Sequence, residues 1–135
     1  MNSFTWCAAL STFALGAALT SSSAQEPRAT ANVYRPAEAG WLEREVYRSP
    51  VDANLSVEFV DVLVGTGRAT VVKAFPTGAL LDVQAGAAIV TVDRKQQRIA
   101  PGVVIRIDQG QMLSIDNRKG ERPFVARLIR IDSRR

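Results

Sequence analysis

The chain of 135 residues contains no histidine and only one cysteine, Cys7. Histidine is the commonest ligand of catalytic transition metals and the commonest general base near neutral pH. Its absence therefore disfavours metal-dependent enzymes and enzymes that need an imidazole base. The acidic residues do not follow the spacing of a calcium-binding loop either. The sequence predicts no metal site and no cofactor.

Other functional motifs are missing as well. Ser56 and Ser114 have no histidine partner, and no glycine-rich phosphate loop precedes a helical pattern. The basic residues, which give a net charge of +4, are not interleaved with aromatic residues in a nucleic-acid-binding motif. We therefore expect no nucleic-acid partner.

The N-terminal part of the chain has the pattern of a secretory signal. Residues 4–19 are uncharged and largely apolar, and small polar residues lead from there to Ala24. This pattern predicts a signal peptide over residues 1–24, and hence export to the periplasm or the medium. An uncleaved anchor or a buried helix remains an alternative, because no Lys or Arg precedes the apolar run. Cleavage would remove Cys7, so the mature protein could form no disulfide.

Residues 25–55 combine prolines with charges and have little apolar pattern. Leu42 and Val46 are four residues apart, which predicts one short helix that ends before Pro50. We interpret this segment as an N-terminal arm. Trp41 is expected to pack the arm against the body of the protein, and ligand stacking or a dimer contact is the alternative.

Residues 56–135 are predicted to form one all-β domain. Short β-branched runs alternate with Gly, Pro and Asn turns, which is typical of an antiparallel sandwich or barrel. The runs are 57–64, 69–75, 79–83, 87–93, 97–99, 103–108, 112–117 and 124–131. No second helix is expected.

The spacing of five turn residues resembles that of the cupin family, small jelly-roll barrels marked by two short motifs. The residues that keep the motif positions are Gly67, Gly86, Gly102, Gly110 and Asn117. The resemblance covers residues 67–117 and implies a small jelly-roll, cupin-like antiparallel β-barrel that follows the arm. Because glycine and asparagine are common in any turn, another β-sandwich or small barrel stays open as the alternative.

The chain departs from the cupin motifs at every metal-ligand position. Lys73, Phe75 and Leu113 stand where the family has histidines, and Ala79 stands where it has a glutamate. A protonated lysine has no lone pair to offer, and the other three side chains are apolar. The resemblance therefore implies a divergent, metal-free cupin.

The candidate ligand-binding residues are Lys73, Phe75, Ala79, Leu113 and Arg106. The motif alignment points Lys73 into the barrel, where it would act as an anion hook or a nucleophile. Alternatively, Lys73 pairs with a carboxylate such as Asp82 or faces solvent. Arg106 either pairs with Asp108, which lies on the same face of its strand, or meets a ligand.

These observations predict an exported, non-catalytic cupin-like binding module. The alternative is a metal-independent enzyme that uses Lys73 and a carboxylate on a small anionic substrate. A barrel interior filled by Phe75 and Leu113 favours the module, and a solvent-connected cavity with Lys73 beside a carboxylate favours the enzyme.

The expected partner is a protein or a small anionic ligand. The resemblance also implies a homodimer in which residues 41–47 cross to the other subunit. The basic C-terminal residues are either a solvated edge or a site for an anionic surface. They are Arg118, Lys119, Arg122, Arg127, Arg130, Arg134 and Arg135.

Overall fold

Ten strands form two antiparallel sheets in the computed structural model, which describes residues 33–133. The strands are β1 (Arg35–Pro36), β2 (Leu42–Pro50), β3 (Leu55–Val64), β4 (Lys73–Ala74), β5 (Ala79–Ala85), β6 (Ala88–Val92), β7 (Lys95–Ile99), β8 (Val104–Ile107), β9 (Met112–Asp116) and β10 (Phe124–Ser133). The six-stranded sheet has the order β1-β2-β3-β10-β5-β8, and the four-stranded sheet has the order β4-β9-β6-β7. The predicted all-β class is confirmed, and residues 33–133 contain no helix.

Side chains of the six-stranded sheet alternate between two faces, which we call inner and outer. On β3, Val60, Val62 and Val64 are buried against the other sheet, whereas Leu63 points away from it. The inner faces of both sheets form one apolar core. Its largest fully buried members include Trp41, Leu81, Ile107, Leu113, Ile115, Phe124 and Leu128. Complete burial of one such side chain stabilises the fold by about 1.5–3 kcal/mol.

The four motif glycines all have positive φ, which explains why glycine occupies these turns. The values are 74° at Gly67, 73° at Gly86, 88° at Gly102 and 84° at Gly110. Gly86 is constrained by space as well, because an added Cβ would lie 2.3 Å from the carbonyl oxygen of Pro123. A side chain at Gly86 would therefore force apart the start of β10 and the β5–β6 turn.

Asn117 holds together the ends of three segments. It is buried, and its Nδ2 donates to the carbonyl oxygens of Val64, at 3.1 Å, and Arg122, at 2.9 Å. An added Cβ at Gly120 would lie 1.8 Å from Asn117 Oδ1. The motif asparagine therefore has a structural role, since it links the end of β3 to the segment before β10.

The prediction of a helix in the arm is wrong. Residues 42–50 form strand β2, which pairs with β3 along its length. The register shifts between Glu45 and Tyr47, so Val46 is the extra residue of a β-bulge. A spacing of four does not distinguish a helix from a strand, because residues i and i+4 share a face in both. The bulge then places Tyr47 on the same face as Leu42. Trp41 is 2% exposed and packs in the core, as predicted.

The eight predicted β runs each contain strand, with one of them much shorter than expected. In the run 69–75, only Lys73–Ala74 forms a strand, and Ala69 makes an isolated bridge to Asp116. No helix among residues 33–133 is long and apolar enough to cross a membrane. The predicted signal peptide, as well as Arg134 and Arg135, lies outside the described residues.

Candidate functional site

Three of the five predicted site residues belong to the core. Phe75, Ala79 and Leu113 are 2%, 6% and 0% exposed. Leu113 on β9 is the register partner of Lys73 on β4, so both side chains point to the inner side of the four-stranded sheet. The structure therefore brings Lys73, Phe75, Ala79 and Leu113 to the same interior, with the three apolar side chains packed in it.

Lys73 lies at the edge of this packed region and is partly exposed. Its Nζ is 3.9 Å from Glu43 Oε1 and 5.3 Å from the centroid of the Trp41 ring. The same Glu43 oxygen accepts a hydrogen bond of 2.7 Å from Trp41 Nε1. The carboxylate beside Lys73 is thus Glu43. Asp82 is instead on the outer face, where it accepts a hydrogen bond from Gln84.

Glu43 belongs to a chain of ion pairs along the rim of the inner face. Arg130 Nη2 is 3.4 Å from Glu43, and Arg130 Nη1 is 3.4 Å from Glu58. Arg48 bonds to Glu58 and lies 3.1 Å from Glu45. The hydrogen bond to Glu58 raises the pKa of Arg48. We call Lys73, Glu43, Arg130, Glu58, Arg48 and Glu45 the rim network. Its three cations and three carboxylates give no net charge.

Two open cavities flank the rim network. The Lys73 cavity has a volume of about 410 Å³ and is lined by Arg35, Pro36, Ala37, Glu38, Glu43, Glu45 and Lys73. The hairpin cavity, of about 710 Å³, lies by the β2–β3 turn and includes Arg48, Asp52, Glu58, Arg130 and Asp132 in its lining. In each cavity the carboxylates outnumber the cations by one. A free anion would therefore be repelled by the excess negative charge in either cavity.

Arg106, the fifth predicted site residue, lies apart from the other four. On β8 it is the neighbour of Ile107, which is fully buried, so Arg106 points to the outer face. Its Nε donates to Asp108 Oδ1 at 2.7 Å, and both side chains are exposed. The predicted pairing of Arg106 with Asp108 is confirmed.

The metal that cupin motifs imply does not fit these residues. An ammonium group and three apolar side chains occupy the ligand positions, and none of the four can donate an electron pair to a metal at neutral pH. Within residues 33–133, no group of three or more His, Cys, Asp or Glu residues could hold a metal ion.

Sequence reasoning missed an ionic cluster on the outer face. Asp61 is only 3% exposed although it points away from the core. It accepts a hydrogen bond of 2.9 Å from Arg127 Nε and bonds to Arg44 as well. Burial raises the pKa of Asp61, but the hydrogen bonds from the two guanidinium groups outweigh this effect and lower it. An aspartate inside the apolar run 57–64 was the signal that could have revealed it.

Solved structures share this fold. A Cupin 2 conserved barrel domain protein from Salinispora arenicola is 13% identical, with a TM-score of 0.58 over 73% of this chain and 80% of that chain. KdgF from Halomonas sp. is 18% identical, with a TM-score of 0.59 over 76% of this chain and 87% of that chain.

An uncharacterized conserved protein with a double-stranded β-helix domain from Klebsiella pneumoniae is 16% identical, with a TM-score of 0.57 over 75% of this chain and 90% of that chain. No protein-family model matches the sequence, and no curated protein matches it. The chain has the cupin fold, as its motif spacing predicted, and such low identities show the fold alone.

Proposed function

We propose that this cupin-fold protein is an exported, non-catalytic binding module without a metal site. The observation that carries the proposal is the packing at the cupin ligand positions. Phe75, Ala79 and Leu113 are buried in the core, so three of the four cupin ligand positions offer neither a donor atom nor an exposed surface to a substrate. Binding is therefore assigned to the surface of the barrel.

A protein partner is favoured over a small anion, because carboxylates are in excess in both cavities. The charges near the C-terminus support the same choice. Arg118, Arg127 and Arg130 all take part in ion pairs, with Asp116, Asp61 and two glutamates respectively. Less positive charge is then available for an anionic surface than the sequence suggests. We propose a second copy of this chain as one such protein partner.

The test of the metal-free site is elemental analysis of the full chain purified without a metal-affinity tag. We expect transition metals well below one equivalent, also after incubation with zinc, iron or manganese salts and gel filtration. One equivalent of a metal that survives gel filtration would contradict the proposal, since it would require ligands that these positions do not provide.

A second candidate function is a metal-independent enzyme that uses Lys73 and Glu43. One observation favours it: Lys73 lines an open cavity and lies 3.9 Å from a carboxylate. For this function, the amine of Lys73 would have to be a better nucleophile than the amine of an ordinary lysine. The chain has two other lysines, Lys95 and Lys119, both exposed, which serve as internal controls.

Amine-labelling rates separate the two candidates. Trinitrobenzenesulfonate labelling at neutral pH, followed by peptide mass mapping, would rank the three lysines. The binding module predicts that Lys73 reacts more slowly than Lys95 and Lys119, because Glu43 and Trp41 hold its ammonium group. Faster labelling of Lys73 than of both controls would favour the enzyme instead.

A further inference from the structure

Charged residues form one row across the outer face of the six-stranded sheet. The strand register aligns Arg44 of β2 with Asp61 of β3, Asp61 with Arg127 of β10, and Arg127 with Asp82 of β5. The row thus reads positive, negative, positive, negative across four adjacent strands. Its net charge is zero, and we call it the charge row.

Apolar residues form a row on each side of the charge row. On one side the register aligns Tyr47, Phe59, Ile129 and Leu80, again on β2, β3, β10 and β5. On the other side it aligns Leu42, Leu63 and Val125. None of these seven side chains is fully buried, and Tyr47 and Leu80 are 47% and 38% exposed. Apolar side chains collected in this way on an exposed face commonly mark a protein interface.

The order of charges determines which symmetric contact is allowed. A two-fold axis parallel to the strands, between β3 and β10, reverses the order of the strands in the second copy. Arg44 then faces the second copy's Asp82, and Asp61 faces its Arg127. A two-fold axis across the strands would place each charge opposite an identical one, which opposes association.

We infer that two copies of this chain associate face to face through the outer face of the six-stranded sheet, about a two-fold axis parallel to the strands. The same axis brings the apolar rows together, since Tyr47 faces Leu80 of the second copy and Phe59 faces its Ile129. Such an isologous contact is the commonest form of homodimer. This inference rests on the part of the proposed function that includes a second copy as partner.

The first test is the mass of the full chain in solution, measured by sedimentation equilibrium over a range of concentrations. We expect a dimer for the native chain and a shift towards monomer for Tyr47→Lys and for Leu80→Glu. Both positions are exposed, so the variants should fold, which circular dichroism checks. Val72→Glu is the matched control, because Val72 is 58% exposed and lies outside the outer face. It should remain dimeric.

Mixing the two variants tests the direction of the axis. With an axis parallel to the strands, a heterodimer of Tyr47→Lys and Leu80→Glu contains one Lys–Glu contact and one unchanged Tyr–Leu contact. The equimolar mixture should therefore recover dimer that neither variant forms alone. An axis across the strands predicts no recovery.

Disulfide trapping tests the contact directly. In a Cys7→Ser background, Tyr47→Cys and Leu80→Cys should each give little covalent dimer alone, and their mixture should give covalent heterodimer under mild oxidation. A native chain that stays monomeric would overturn this inference and the homodimer, while the metal-free module would stand. A native dimer without recovery on mixing and without mixed disulfide would overturn only the outer-face geometry.

Discussion

The two faces of the six-stranded sheet use charge in different ways, although the same strands supply both. On the inner face, the ion pairs lie at the rim, beyond the apolar core, and Glu43 and Arg130 are among their members. On the outer face, the ion pairs run through the middle and apolar rows lie on both sides. Glu43 and Arg44 are adjacent in the chain and belong to different networks. The alternation of side chains in a strand is what separates them.

The position of a charge therefore identifies a candidate contact surface better than the number of charges does. The rim network includes Lys73, and the other three cupin ligand positions hold apolar residues buried in the core. Asp61 lies almost fully buried on a face that no second sheet covers within residues 33–133. The outer face is therefore the better candidate for contact with another molecule.

Truncation of Leu128 on the inner face should destabilise the protein more than truncation of its outer-face neighbour Ile129. Leu128 is fully buried on the inner face, and Leu128→Ala should lower the free energy of unfolding by about 2–5 kcal/mol. Ile129 points to the outer face and is partly exposed, so Ile129→Ala should cost about 1 kcal/mol in dilute solution. Urea unfolding at low protein concentration measures both. Equal losses would show that the two faces are not distinct in packing.

Each network has a carboxylate shared by two cations, Asp61 on the outer face and Glu43 at the rim. Asp61→Asn leaves two arginines facing each other, and we expect a loss of about 2–4 kcal/mol, since breaking a buried ion pair is costly. Glu43→Gln keeps an oxygen that can accept from Trp41, and exposed pairs contribute about 1 kcal/mol or less. Urea unfolding of both variants checks this order. A larger loss for Glu43→Gln would mean that the rim network is the main electrostatic element of the sheet.

The motif region shows how much of this molecule could be predicted. The turn spacing located Gly67, Gly86, Gly102 and Gly110, which all have positive φ, and side-chain alternation indicated the pair of Arg106 with Asp108. These features depend on local backbone geometry, which leaves a direct mark in the sequence.

The candidate site was harder to predict because it depends on register between strands distant in sequence. Glu43 lies thirty residues before Lys73, and the bulge at Val46 hid strand β2. The charge row combines one residue from each of four strands, so no local pattern contains it. Side-chain alternation places a residue on a face, but only the pairing of strands shows what lies beside it.

Acid titration should have a smaller effect on stability, and it compares Asp61 on the outer face with Asp116 at the end of β9. The side-chain and backbone hydrogen bonds from Arg118 lower the pKa of Asp116 to about 2, and the pKa of Asp61 is lowered too. Because a depressed pKa favours the folded state when the group is charged, this stability is complete above the unfolded value of about 3.9. It is lost as the pH falls through the folded pKa.

The measurement is the free energy of unfolding between pH 2 and 6, in urea, for three proteins. We expect the stability of the native chain to decrease below about pH 4. Asp61→Asn and Asp116→Asn should each show a weaker decrease than the native chain, because each lacks one of the titrating groups. If both variants keep the full dependence, other carboxyl groups must cause it.

The smallest expected change in stability belongs to Lys73→Met. The pair of Lys73 with Glu43 is long and partly exposed, and the contact with Trp41 is a single cation–π interaction. Methionine keeps the packing of the lysine methylene groups, so only these two contacts are lost. We therefore expect the free energy of unfolding to change by less than about 1 kcal/mol. Lys95→Met, at an exposed position on β7, is the control and should be neutral. A loss well above 1 kcal/mol for Lys73→Met alone would show that Lys73 contributes more to folding stability than its exposed contacts predict. A second readout is the binding of inorganic phosphate, followed by amide chemical shifts. Because carboxylates outnumber cations in the Lys73 cavity, we expect no saturable phosphate binding there in the native chain or in either variant. Phosphate binding that the native chain and Lys95→Met show and that Lys73→Met lacks would contradict the proposed protein partner and assign a small anion to Lys73.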